Sequence, residues 1–288
     1  MIYDLLIAPF EDAAMRRALA GCIALALGGA PIGVFLVLRR TALIGDALSH
    51  AILPGVAIAF VFAGFSLLWM TIGGLAAGLA VALLAGAASR LTPLAEDASL
   101  AAFFIVSLAL GTLLVATFGT DEELLHVLFG DLLEIAPEAL VTMAAIATAS
   151  MAVLALVYRP LIAECFDPSF LRAAGHAGAI VHAVFLSLVV LNLVSGFQAL
   201  GTLMSIGLMM LPAISARFWA DSAGGQIAVA VGLTVLAAVT GLLAAFHAGT
   251  PPESSIVLTA GVFYLGSLAF GPRESIAARL VRLRHLEA

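Results

Sequence analysis

Residues 39–59 read RRTALIGDALSHAILPGVAIA, and the remainder of the chain is organised around them. An arginine pair, Arg39 and Arg40, leads into an apolar helical pattern interrupted by Asp46 and His50. Four residues make just over one helical turn, so the acid and the imidazole share a face and their heads converge. Pro54 follows His50 by four residues and has no amide hydrogen, which predicts a free carbonyl at His50 beside the two side chains. Asp46 lies about 10 Å along the axis from Arg39, and His50 about 6 Å further. An ionisable side chain at that depth in a membrane costs roughly 3 kcal/mol or more and usually faces a cavity or a partner.

The composition is that of a membrane protein. Of 288 residues, 63% are hydrophobic and 10% charged, with mean hydropathy +1.18. A soluble domain carries about 25% charged residues. An all-α, polytopic fold is expected, one transmembrane domain over residues 1–288 with no separate soluble part. A bilayer crossing needs about 20 apolar residues. Nine segments qualify, near 18–38, 43–63, 67–88, 99–118, 139–158, 179–195, 200–217, 226–247 and 255–270, for eight or nine crossings. The sixth and the last are the short ones. The N-terminus lacks a basic leader with a cleavage motif and reads as mature sequence entering the first span.

All 12 basic residues are arginine. Without lysine there is no phosphate-binding loop of the Gly-Lys-Ser/Thr type, so any ATP that drives this chain is hydrolysed by another subunit. Ten arginines (39, 40, 90, 159, 172, 217, 273, 279, 282 and 284) flank the segments on one side, which the positive-inside rule makes cytoplasmic. Arg16 and Arg17 alone oppose this. The N-terminus is therefore expected outside and the C-terminus inside. Residues 119–138 form an acidic outer loop, with six carboxylates around His126 and an amphipathic stretch, LLHVLFGDLLEI, too short to span. Residues 159–178 form the longest inner loop, RPLIAECFDPSFLRAAGHAG. There Asp167 reads as an N-cap, Pro168 as the first helical residue and Gly175 as the stop. A helix of two turns needs a surface to lie on, and Phe166, Phe170 and Leu171 suit a groove on a partner protein.

Within the spans, Gly29 with Gly33 and Gly74 with Gly78 are spaced for close helix packing, and Pro31, Pro54 and Pro212 free carbonyls that neighbours or a cavity must satisfy. Met204, Met209 and Met210 read as apolar packing. His176, His182, His247 and His285 read as structural or solvated, and Ser49 as small packing. Cys22 and Cys165 fall in different compartments and are not expected to pair.

Three uses of Asp46 and His50 fit their spacing: bracing the bundle, relaying protons, or binding a divalent metal. Carboxylate and imidazole together suit zinc, manganese or iron. One of each is too few, and a twofold dimer would bring four donors to its axis. Protonation of the imidazole at low pH would weaken such a site.

Residues 39–60, RRTALIGDALSHAILPGVAIAF, resemble the signature of the zinc/manganese/iron-type ABC permeases, the membrane subunits of bacterial metal-ion importers. Residues 201–220, GTLMSIGLMMLPAISARFWA, resemble that family's second block, and FDPSFLRAAG, residues 166–175, its coupling-helix segment. The resemblance implies a type II ABC importer permease in the bacterial inner membrane. It implies a homodimer seated on a cytoplasmic ATPase dimer and fed by an extracytoplasmic metal-binding protein. Asp46 and His50 would contact the ion, and Phe166, Asp167, Pro168, Phe170, Leu171 and Arg172 would dock on the ATPase. The ion is cargo; no cofactor and no reaction are expected of this chain. Zinc is the first expectation and manganese the second, because residues 201–213 look closer to permeases associated with zinc uptake. The competing classes are a permease for a metal chelate, a proton-coupled secondary carrier, and an intramembrane enzyme. The last lacks a His-Glu-x-x-His pattern.

Overall fold

The computed structural model describes residues 3, 6–41, 43–64, 66–93, 95–118, 132–166 and 177–278. The regular elements among them are all helical. They are α1 (Ala13–Leu38), α2 (Ile44–Ala51), α3 (Leu53–Ala63), α4 (Leu67–Leu91), α5 (Glu96–Phe118), α6 (Pro137–Phe166), α7 (Ala177–Leu200), α8 (Thr202–Ala216), α9 (Ala223–Ala248) and α10 (Pro252–Phe270), with 3-10 turns at Ala8–Glu11 and Leu132–Glu134. Among the described residues, eight helical runs are long and apolar enough to cross a membrane, α2 and α3 together making one of them. The remaining predicted segment, the seventh at 200–217, is α8, which is shorter than the other runs.

The expected lengths need one correction. The sixth helix, α7, has 24 residues, and the short one is the seventh, α8, with 15. At 1.5 Å per residue α8 is about 22 Å long, less than the roughly 30 Å hydrocarbon core. Its start is set by Gly201, whose φ of 81° is one that L side chains rarely adopt. Its end is a tightened turn in which the Phe218 amide donates to the Ser215 carbonyl at 3.0 Å. Met204, Leu208, Met209, Ala213 and Ala216 are buried against α1, α7, α9 and α10, so the methionines of this helix are packing residues. Pro212 cannot bond the Leu208 carbonyl, and the Thr234 hydroxyl of α9 approaches that oxygen at 3.4 Å.

α1 is the central post, packed on α6, α7, α8 and α9. Its Ile32, Val34, Phe35 and Leu36 are fully buried. Small residues let backbones meet, as the spacing predicts. A Cβ at Gly33 would fall 2.0 Å from the Met209 carbonyl oxygen, and one at Gly28, rather than Gly29, would fall 2.4 Å from Asn192 Oδ1. The tightest crossing joins α3 to α4. There a Cβ on Gly55 would lie 1.9 Å from the Gly73 oxygen, and one on Gly73 2.2 Å from the Gly55 oxygen.

The connections are shorter than expected. α6 continues through Pro160 to Phe166, and α7 begins at Ala177, so residues 159–166 are helical rather than loop. Leu161 is fully buried, and that burial carries the helix past the proline. On the other side Glu253 Oε1 accepts from the Leu132 amide at 2.8 Å and ties the 3-10 turn to the start of α10. Residues 119–131, with His126, lie outside the described residues.

Candidate functional site

The site is built from the end of α1. The Arg40 amide donates to the Val37 carbonyl at 3.1 Å and the Thr41 amide to the Leu36 carbonyl at 3.0 Å, the two bonds of a Schellman stop. Arg40 takes the left-handed position where glycine is usual, with φ 59°. A non-glycine residue there costs roughly 1–2 kcal/mol. The chain turns a hydrogen-bonded corner and enters α2, eight residues long.

α2 has two faces. Ile44, Gly45, Leu48, Ser49 and Ala51 are buried, packed toward α4, α5 and α7, while Asp46 and His50 are exposed on the surface of the single chain. The Ser49 hydroxyl donates to the Asp46 carbonyl at 2.6 Å, which makes it a packing residue. The His50 ring lies 5.9 Å from the Phe104 ring, tilted by 38°. Asp46 lines a cavity of about 390 Å³ together with Arg40, Thr41, Asp97 and Phe104.

Pro54 divides the predicted 43–63 segment into two helices, with Ile52 as the joint between α2 and α3. The carbonyl left over is not the one expected. The Ile52 amide turns back to the His50 oxygen, so that group is occupied. The Gly55 and Val56 amides both go to the Ile52 oxygen, at 3.1 and 3.2 Å. This strands the Ala51 carbonyl, which accepts the Ser107 hydroxyl of α5 at 2.9 Å. Among the described residues, no three of His, Cys, Asp and Glu gather closely enough to hold a metal ion.

The model of the ABC 3 transport family matches residues 11–271. The chain belongs to that family. It is 30% identical to the manganese import system permease protein ScaB of Streptococcus parasanguinis, over 90% of this chain and 91% of that one. It is 30% identical to the chelated iron transport system membrane protein YfeD of Yersinia pestis, over 97% and 93%. Among solved structures, PsaBC from Streptococcus pneumoniae in complex with Fab superposes with a TM-score of 0.81 at 27% identity, covering 99% of this chain and all of that one.

For this ABC 3 family member, the residues expected to meet an ATPase are described only in part. Phe166 closes α6 and is 79% exposed. Asp167, Pro168, Phe170, Leu171 and Arg172 lie outside the described residues, as do His176 and His285. His247 is exposed in the last turn of α9, edge-on to Phe246, in keeping with a solvated histidine. Both cysteines are free thiols.

The sequence did not point to a second polar group, beside the expected loop. Glu164 and His182 are buried, and the Arg39 side chain is 9% exposed. Arg39 Nη2 donates to His182 Nδ1 at 2.5 Å and lies 3.6 Å from Glu164 Oε1, which is 3.7 Å from His182 Nδ1. A guanidinium carries no acceptor, so the Nδ1 it faces is unprotonated. The Phe185 ring lies 5.1 Å beneath the Arg39 guanidinium carbon. His182 is structural, as expected, but its partners come from α6 and the end of α1. The one available signal was Glu164, the lone carboxylate in LIAECF; placing residues 159–178 in a loop made it look solvated.

Proposed function

We propose that this chain is the transmembrane subunit of an ATP-driven importer of a divalent first-row transition-metal ion, with manganese the foremost cargo and iron and zinc behind it. One observation carries the reading: Asp46 and His50 stand together on the outward face of a short helix whose other face is packed. Lipid is a costly neighbour for an acid, at about 3 kcal/mol near mid-bilayer. A second copy of the chain is a better one. Two copies related by a twofold axis present two carboxylates and two imidazoles to one point, a donor set that suits manganese, iron or zinc.

The order of metals follows the names of the relatives, which are manganese and iron systems. The zinc expectation drawn from residues 201–213 has no counterpart in those names. The absence of lysine supports hydrolysis in a separate ATPase, and residues 166–175 are its proposed docking segment. An extracytoplasmic binding protein would deliver the ion to the outer face. The arginine distribution supports an inner-membrane protein with its N-terminus outside and its C-terminus in the cytoplasm.

In this mechanism the ring at Asp46 and His50 replaces part of the ion's water shell as the spans rock from outward to inward opening. The cavity beside Asp46, with Asp97 on its wall, continues the path toward the arginine-rich side. The test is uptake of labelled manganese by proteoliposomes holding the permease, its ATPase and the binding protein. Asp46→Ala and His50→Ala proteins that assemble normally should each lose more than about 100-fold in rate, beyond the 10–100-fold typical of outer-shell changes. Uptake at the normal rate in both would sink the ring.

The Yersinia pestis relative's name favours one alternative, a chelated-iron cargo. Competition separates the two: free manganese should block its own labelled uptake, and an iron chelate should not.

A further inference from the structure

We propose that Arg39, Glu164 and His182 are positioning residues, a largely buried latch that couples the ends of α6 and α7 to the helix bearing Asp46 and His50. The inference rests on the reading of that pair as the ion site and of residues 166–175 as the ATPase-docking segment.

The first argument is placement. Glu164 is the third residue from the end of α6, and His182 the sixth residue of α7. These are the two helices that flank residues 167–176. Any displacement that an ATPase imposes there must pass through one helix end or the other. Both ends meet the same side chain, Arg39. Both approaches fall on Nη2, with His182 at hydrogen-bond distance and the Glu164 carboxylate at ion-pair distance.

The second argument is what lies on the far side of Arg39. It is the C-cap of α1, and its own amide is fixed on the Phe35 carbonyl. The Schellman bonds at Arg40 and Thr41 follow, then the Ile44 amide on the Thr41 carbonyl at 3.0 Å. Asp46 comes two residues later. Backbone hydrogen bonds at Arg39, Arg40, Thr41 and Ile44 therefore lie between the latch and the acid, with an energetically costly backbone conformation among them.

The third argument is energetic. A buried ion pair is weak grounds for stability, since well-packed apolar residues hold helices as firmly. Three helix ends could be joined by leucines. A charged cluster adds direction: its pairs have geometric optima and can exchange one partner for another as the helices shift. Its walls keep it dry. Phe185 covers the guanidinium, and a Cβ on Gly86 of α4 would come within 3.0 Å of His182 Nε2.

The decisive protein is the Arg39→Met/Glu164→Met double variant, which removes both charges together. It is reconstituted with the ATPase and binding protein, and manganese uptake and ATP hydrolysis are measured in the same vesicles. The latch predicts normal assembly and hydrolysis within about twofold of wild type, with ions moved per ATP down at least tenfold. A structural role alone predicts both restored, and an unchanged ratio overturns the proposal. His182→Asn and His182→Phe form an independent arm. The Asn oxygen accepts from Arg39 in place of Nδ1 and should keep the ratio within about threefold, whereas Phe offers no acceptor and should lose at least fivefold. Equal ratios in the two overturn the latch even if the double variant fails to assemble. The ion-site reading is judged on Asp46→Ala, and the docking reading on whether residues 166–175 are needed to retain the ATPase. The three failures are therefore read from different proteins.

Discussion

Asp46 with His50 and Arg39 with Glu164 and His182 are two polar groups in one apolar chain, solved in opposite ways. The first stands open: both side chains are exposed, and among the described residues they belong to no group of three or more His, Cys, Asp and Glu. The second is closed: three largely buried side chains from three helices face each other, and an aromatic ring covers them. Charge that is open at the surface of a membrane protein requires another molecule. Charge that is closed ties parts of the same molecule together. The contrast makes the two groups respond differently to the same kind of mutation.

The largest expected difference is in stability. Glu164→Ala leaves a largely buried guanidinium without its carboxylate and should cost about 3–5 kcal/mol. Asp46→Ala, on an exposed face, should stay within about 0.5 kcal/mol of wild type in the isolated subunit. Thermal unfolding in detergent compares the two, and equal losses would erase the distinction between open and closed. Gly86→Val is the next test. Its new side chain meets His182 at the wall of the closed group, and overpacking of this kind costs roughly 1–3 kcal/mol. A stabilised variant would mean that the wall has slack. The smallest expected loss among the buried positions lies next to the open region. Ser107→Ala strands the Ala51 carbonyl at the joint beside His50 and should cost about 1 kcal/mol. Hydrogen exchange at α2 and α3 should rise in this variant and not elsewhere.

The open group was legible in the sequence and the closed one was not, for a physical reason. Asp46 and His50 are four residues apart, and helical periodicity alone puts them on one face. The apolar segments were legible on the same terms, since hydropathy is local, and each of the nine falls on a helical run. Arg39, Glu164 and His182 come together only through tertiary packing. Arg159 and Pro160 added a false stop, because a helix that is packed tightly enough continues through its proline. The carbonyl beside His50 was misassigned for a related reason. Proline fixes which amide is missing, but the joint at Ile52 redistributes the remaining bonds, and the orphan moves one residue to Ala51. The short α8 was placed but not measured, because its length depends on a backbone angle at Gly201.

The contact between Gly55 and Gly73 has a mechanical consequence. Each glycine's carbonyl oxygen occupies the space where the other's side chain would begin, so α3 and α4 meet without any rotamer between them to yield. Their crossing has no slack, which favours the two helices shifting together rather than sliding past each other. Ile52 and Arg40 are the breaks in helical geometry at either end of α2, so any reorientation of its acid and imidazole relative to that rigid crossing would be taken up at these two residues.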